Sequence, residues 1–327
     1  MAIVSADEIK TYTGKVKKIK EQISKAVVGQ DNVVNGILRG LVAKGHVIIE
    51  GVPGVAKTLL IRALSQTTNC KFSRIQFTVD LLPTDITGIT AYDSKKGFYT
   101  VKGPIFANFV IADEINRAPP KTQSALLEAM QEKQVTIGKQ TYLLEEPFFV
   151  MASNNPIESS GVYPLPEAQV DRFLFKLYMS YPKKNEEKII LEQNVNMLKF
   201  EDFGIKPVIN QSDLLKMQDA AKRVGHTEKI KDYIIDIVTA TRKPQEYDIK
   251  LGKYIELGAS PRASINLFIG GKAEALLNSS NYVLPEHIKS VAPDVLRHRI
   301  ILNYKGEAEK ITTDDIIKEI LSKIPIP

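Results

Sequence analysis

The chain has no tryptophan, a single cysteine and four histidines in 327 residues, and each scarcity removes a class of protein. Cys70 alone cannot close an intramolecular disulfide, so the fold rests on its apolar core. His46, His226, His287 and His298 stand far apart, without the spacing metal ligands share, which argues against a structural metal. No apolar run approaches the roughly 20 residues that span a bilayer, and the opening MAIVSADEIK lacks the basic and apolar blocks of a secretory signal. The expectation is a cytoplasmic protein with no membrane span. Charge of one sign is also scarce: 44 Lys and Arg against 38 Asp and Glu leave a net +6, with the signs alternating along most of the chain. That pattern fits a solvated mixed-charge surface better than a nucleic-acid face.

What is present is an ordinary globular composition, 43% hydrophobic and 25% charged, on enough chain for one large domain or two moderate ones. Between Ser5 and Val27, Ile9, Val16, Ile19, Ile23 and Val27 recur at helical spacing, and QDNVVNGILRGLVAKG reads as a second helix. The period then changes. A short apolar run at His46–Ile49 leads into a glycine-rich turn at Gly51 to Ala56, and Lys57 to Thr68 is helical again. Further apolar runs at Phe72–Phe77, Phe109–Ala112, Phe148–Ala152 and Phe173–Tyr178 alternate with helical patterns such as Thr122–Gln131. Alternation of this kind predicts a parallel sheet covered on both faces.

After Tyr181-Pro182 the segments led by Asn185, Ser212, Thr227, Ser260, Pro285 and Thr313 all read as amphipathic helices. The predicted organisation is an α/β core over residues 1–182 followed by a smaller all-α domain over 183–327. Two stretches exceed what a minimal core needs. Residues 80–104 hold alternating strand-like pieces around Gly97-Phe98-Tyr99, and residues 134–146 read as a hairpin around Ile137-Gly138-Lys139.

The chemistry concentrates at the ends of the predicted strands. Gly51-Val52-Pro53-Gly54-Val55-Ala56-Lys57-Thr58, with Leu59 after it, follows the P-loop pattern, in which backbone N–H groups and a helix N-terminus cradle phosphate oxygens. Lys57 is placed to reach the β- and γ-phosphates of ATP, and the Thr58 hydroxyl to bind Mg²⁺. Ala56 departs from the strict pattern, which has glycine there. A second strand ends in Asp113-Glu114, suiting Asp113 to Mg²⁺ and Glu114 to orienting the attacking water. A third ends in Ser153-Asn154-Asn155-Pro156, whose amides can bond a γ-phosphate or that water.

Taken in order, these motifs resemble those of AAA+ ATPases, and their wording resembles the MoxR family. Val27-Val28-Gly29-Gln30 resembles the segment that packs on adenine, and Gly51–Thr58 resembles Walker A. The run from Asp113 through Glu132 is similar to the family's Walker B and following helix nearly letter for letter. Asn155-Pro156 resembles sensor 1, the run from Tyr163 to Phe173 resembles the segment bearing an arginine finger at Arg172, and Gly258–Arg262 resembles sensor 2, with Arg262 in the first turn of a helix capped by Ser260. Val295–Arg299 continues the likeness, and Arg117 is a further candidate to reach across an interface.

The resemblance implies a P-loop AAA+ core with a helix-2 insert and a pre-sensor-1 hairpin, followed by an α-helical lid. It also implies Mg²⁺-dependent ATP hydrolysis in a homo-oligomeric ring of hexameric size, and a chaperone-like action on a client protein, such as one carrying a von Willebrand factor A domain. A nucleic-acid motor or loader and a slowly hydrolysing nucleotide-dependent binding switch are the alternatives.

Overall fold

The computed structural model describes residues 2–52, 54–95, 97–155, 161–194 and 199–327. Pro53, Lys96 and Pro156, which the sequence reading used, lie outside them. The chain opens with α1 (Ala6–Ile23) and α2 (Asp31–Val42), followed by β1 (Val47–Gly51), α3 (Lys57–Thr68) and β2 (Phe72–Gln76). A short α4 (Pro83–Thr87) precedes the hairpin β3 (Gly88–Asp93) and β4 (Gly97–Lys102), after which β5 (Phe109–Asp113) enters the interior. Next come α5 (Pro120–Glu132), the hairpin β6 (Gln134–Ile137) and β7 (Gln140–Leu143), β8 (Phe149–Asn154), α6 (Glu167–Val170) and β9 (Phe175–Met179). The remainder is mainly helical: α7 (Lys184–Asn194), α8 (Gln211–Lys222), α9 (Glu228–Arg242), α10 (Pro261–Leu277), α11 (Pro285–Leu296), α12 (Tyr304–Ala308) and α13 (Thr313–Lys323).

Five strands form one sheet in the order β2-β5-β8-β1-β9, and every pairing in it is parallel. Its central strands β5, β8 and β1 are apolar along most of their length because both faces are covered, whereas the edge strand β2 carries Ser73, Arg74 and Gln76. Val47, Ile49, Phe109, Ile111, Phe149, Met151, Phe175 and Leu177 join a core with α1, α2, α3 and the C-terminal helices. Their strand neighbours Ile48, Val110, Ala112, Val150 and Ala152 point the other way, into a core with Leu126, Leu127 and Met130 of α5 and Val135 and Ile137 of β6. The period of two thus divides β1, β5 and β8 between two cores, and each buried aliphatic or aromatic side chain contributes roughly 1.5–3 kcal/mol.

Local chemistry sets the helix starts. The Ser5 hydroxyl accepts from Glu8 N while the Glu8 carboxylate accepts from Ser5 N, closing a capping box on α1. Asn210 and Thr312 cap α8 and α13 in the same way, one or two residues ahead of the leads expected from sequence, Ser212 and Thr313. Ser260 occupies the N-cap of α10, yet its hydroxyl makes no cap bond and instead donates to Asp171 Oδ2 at 3.2 Å. His46, one residue ahead of β1, is buried, accepts from Val150 N at its Nδ1 and faces Met130 O at its Nε2. Burial pushes its pKa down to about 4, so it is a neutral bracing group.

The two hairpins lie against each other. Thr100 of β4 and Tyr142 of β7 are hydrogen-bonded at 2.7 Å, and the turn at Gly138 approaches Thr90 so closely that a Cβ there would sit 2.8 Å from the Thr90 hydroxyl.

Candidate nucleotide site at the sheet edge

Parallel strands deliver their C-terminal residues to one edge, and the candidate residues meet there around a cleft of about 440 Å³. Its lining comprises Gly54, Val55, Ala56, Lys57, Thr58 and Leu59 from the turn and α3, Arg74 from β2, Asp113 and Glu114 from the end of β5, and Asn155 after β8. Gly51 must be glycine on steric grounds, because a Cβ there would lie 2.4 Å from the Met179 carbonyl oxygen of β9. Gly54 has φ +81°, in the region that favours glycine.

Ala56 is the point where sequence and backbone disagree. It stands in the left-handed region, at φ 66° and ψ 27°, as the residue before α3. Glycine would adopt that conformation freely, whereas an L side chain there costs about 1–2 kcal/mol. Strain of this kind persists where the surroundings impose a particular backbone path, here the junction between the loop and α3. Glu114 is the second such residue, at φ 57° and ψ 50°.

Side chains inside the cleft are held by named partners. Lys57 Nζ donates to the Gly51 carbonyl at 2.5 Å, and burial lowers its pKa against the pull of Asp113, Glu114 and Glu50. Thr58 Oγ1 lies 3.5 Å from Asp113 Oδ2. Ser153 Oγ donates to Asp113 Oδ1 at 2.6 Å and accepts from Glu114 N at 2.8 Å, locking the acidic pair to β8. Arg74 reaches Asp113 Oδ2 through Nε at 3.3 Å and Nη2 at 2.7 Å. Glu114 Oε2 accepts from Gln76 Nε2 at 2.9 Å and pairs with Arg117 Nε at 3.1 Å. Among the described residues no His, Cys, Asp and Glu cluster of three or more could hold a metal. A hydroxyl and a carboxylate beside a phosphate cradle are nonetheless the hard oxygen donors Mg²⁺ takes, with the remainder coming from phosphates and water.

Two predicted arginines lie elsewhere. Neither Arg172 nor Arg262 lines the cleft of its own chain. Arg172 Nη1 donates to the Leu127 carbonyl of α5 at 3.3 Å. Arg262 Nη1 pairs with Asp171 Oδ2 at 3.0 Å, one residue before Arg172. Arg299, buried at 5% exposure, binds Asp171 Oδ1 at 2.7 Å and the carbonyls of Asp171, Phe173, Leu174 and Val295. Burial lowers its pKa to about 10, opposed by Asp171. Asp171 therefore ties the start of α10, the end of α11 and the Arg172 segment into one cluster.

The remaining candidates, Val28 and Gly29, sit beside the end of β9. Gly29 has φ +75°, a Cβ on it would lie 2.4 Å from the Glu186 carboxylate, and Gln30 Nε2 donates to the Ser180 carbonyl at 2.9 Å.

Comparison with known proteins gives this geometry its relatives. Residues 46–175 match a family described as ATPases associated with various cellular activities (AAA), and residues 252–320 match an AAA lid domain. The chain is 45% identical over 315 residues to Chaperone MoxR1 of Mycobacterium tuberculosis, covering 94% of this chain and 81% of that protein. The chain belongs to the MoxR family of AAA+ ATPases. MoxR of Methylorubrum extorquens is more distant, 28% identical over 95% of this chain and 94% of its own. The crystal structure of a protein assigned as an ATPase from Cytophaga hutchinsonii superposes with a TM-score of 0.91 at 47% identity, over 98% of this chain and 97% of that one.

Within this MoxR-family chain, one cleft residue, Arg74, and two that hold the cleft's acidic pair, Gln76 and Ser153, have no signal of their own in the sequence. Arg74 and Gln76 lie two apart on β2 and so share a face, a period-of-two signal present in Phe72-Ser-Arg-Ile-Gln-Phe77 but masked by its apolar members. Ser153 read only as the first residue of the run Ser153-Asn154-Asn155-Pro156.

Proposed function

We propose that this cleft binds ATP with Mg²⁺ and hydrolyses it in a ring of identical subunits, of hexameric size, and that turnover matures or activates a client protein. The α/β core ends near Pro182 in this reading, and the helices after it act as the lid. Lys57 and the loop amides hold the β- and γ-phosphates, and Thr58 and Asp113 hold the metal. Bound Mg²⁺ supplies neutralisation of charge on the phosphate oxygens. Glu114 orients and polarises the attacking water, and Asn155 bonds the γ-phosphate or that water. Val28 and Gly29 flank the base.

The observation that carries the shared site is the separation of Arg172 and Arg262 from their own cleft, together with the pairing of Arg262 with Asp171, the residue before Arg172. One face then offers two guanidinium groups, which suits them to serve the γ-phosphate of an adjacent subunit. AAA+ ATPases commonly form such rings. A relative named as a chaperone supports action on a protein client, for which a protein carrying a von Willebrand factor A domain is the candidate.

The two hairpins are the proposed link to that client. One leads into β5, which ends at Asp113, and the other joins α5 to β8, which ends near Asn155, so a change at the γ-phosphate reaches both through short, stiff connections. The first hairpin presents Tyr92 and Phe98, whose ring centroids are 5.1 Å apart, with Ile89, Tyr99 and Val101 also exposed. Truncating aromatic anchors of this kind commonly costs 2 kcal/mol or more of binding, roughly thirtyfold in affinity. A Phe98→Ala/Tyr99→Ala variant is expected to assemble and hydrolyse ATP at the basal rate but to lose stimulation by protein captured on a Glu114→Gln trap. Stimulation by single-stranded DNA alone, lost in the same variant, would overturn the client reading in favour of a nucleic-acid motor.

A further inference from the structure

Asp113 offers two carboxylate oxygens, and they are used very differently. Ser153 Oγ takes Oδ1 at 2.6 Å. Oδ2 faces the Thr58 hydroxyl at 3.5 Å and receives both Nε and Nη2 of Arg74. The oxygen turned toward the Thr58 hydroxyl, and hence toward the metal position or a water bound to the metal, is therefore the one a guanidinium grips. Two cations on it compete: they draw on the same lone pairs and repel each other, and Lys57 already adds positive charge beside them. Asp113 cannot turn its other oxygen to Arg74 without surrendering the Ser153 bond that also positions Glu114 N.

Arg74 has somewhere to go. It stands on β2, the edge strand of the sheet, with its side chain half exposed against 14% exposure for that of Asp113. Its Nη2 already donates to Gln76 Oε1 at 2.6 Å, an acceptor two residues further along the same face.

We propose that Arg74 is a positioning residue that competes with Mg²⁺ for Asp113 Oδ2, so that metal-bound nucleotide enters the cleft only as the guanidinium moves off the carboxylate toward Gln76. Metal-free nucleotide meets an Asp113 whose charge Arg74 neutralises. Metal-bound nucleotide must displace that neutralising group. Arg74 thereby lowers the discrimination between the two forms, and the proposal rests on the reading of the cleft as a Mg²⁺–nucleotide site.

The test is the affinity for ADP, which cannot be hydrolysed at the γ-position, measured by calorimetry with saturating Mg²⁺ and with EDTA. In Arg74→Ala the ratio of Mg²⁺-loaded to metal-free affinity is expected to rise about two- to fivefold over wild type, the size expected for a half-exposed ion pair. Arg74→Gln, which keeps a polar side chain and removes the charge, should give a similar rise and guards against a folding defect in the alanine variant. On an Asp113→Asn background the same substitution should leave the ratio unchanged. An unchanged or lowered ratio in both Arg74 variants would overturn the proposal, and so would equal losses with and without metal, which would make Arg74 a phosphate ligand. Failure of wild type to bind ADP in either condition would instead overturn the underlying nucleotide reading, and the competition with it.

Discussion

Lys57→Ala is expected to bind ATP at least a hundredfold more weakly than wild type, whereas Glu114→Gln should bind ATP normally and hydrolyse it about 10²–10⁴-fold more slowly. The contrast follows from what each side chain faces. Lys57 Nζ is half-buried in the cleft and held by the Gly51 carbonyl of the loop, so on the proposed reading a bound phosphate meets a lysine already withdrawn from bulk water. Removing it takes away a contact made with the ground state, which appears as lost affinity. Glu114 projects from a left-handed backbone whose amide is fixed by Ser153, and its carboxylate meets the cleft between Gln76 and Arg117. Glutamine preserves its shape and most of its hydrogen bonding while removing the charge that polarises water, so the loss falls on kcat. Calorimetric ATP affinity and steady-state phosphate release on the same preparations separate the two. Equal ATP affinity in Lys57→Ala and wild type would remove the loop from the site.

The strands and the parallel sheet were legible because a strand buried on both faces is apolar along its whole length, as in Phe109-Val-Ile-Ala112. Their order was not, since a run of apolar residues does not say which neighbour it pairs with. The turn at Gly138 revealed one hairpin, and the alternation around Gly97 revealed strand-like pieces that pair as the other, because turn chemistry is local. The meeting of the loop, Asp113 and Glu114 at one sheet edge was legible for a similar reason: each follows directly on an apolar run that reads as a parallel strand. Arg74 and Gln76 were hidden because their importance depends on the register of β2 against β5, where Gln76 stands opposite Asp113. The pairing of Arg262 with Asp171 joins residues 91 positions apart and has no spacing signature at all. That pairing also diverted the Ser260 hydroxyl from the helix cap that local sequence predicted.

Arg172→Ala is expected to lower kcat by about 10³–10⁵ while ATP affinity stays within about threefold of wild type. The rival account is that Arg172 merely braces its own subunit, and the magnitudes decide between them. Among the described residues the Arg172 side chain donates one hydrogen bond, to the Leu127 carbonyl at 3.3 Å, and a bond of that kind contributes about 0.5–1.5 kcal/mol to stability. Losing it would lower the melting temperature slightly and leave turnover nearly intact. A guanidinium delivered to the γ-phosphate of an adjacent subunit instead neutralises charge that develops in the transition state, so its loss appears in kcat and spares binding. Single-turnover hydrolysis and thermal unfolding of the same variant read the two effects independently.

The measurement that bears most directly on a site shared between subunits is ATPase activity in mixtures of Arg172→Ala and Lys57→Ala subunits whose exchange is verified by fluorescence transfer. An Arg172→Ala subunit keeps a cleft that binds ATP, and a Lys57→Ala subunit keeps the arginine that cleft requires, so some mixed interfaces are complete although neither parent is active. The account predicts that activity, absent in either preparation alone, appears on mixing and is greatest at intermediate ratios. Rings that exchange subunits and remain inactive at every ratio would contradict it.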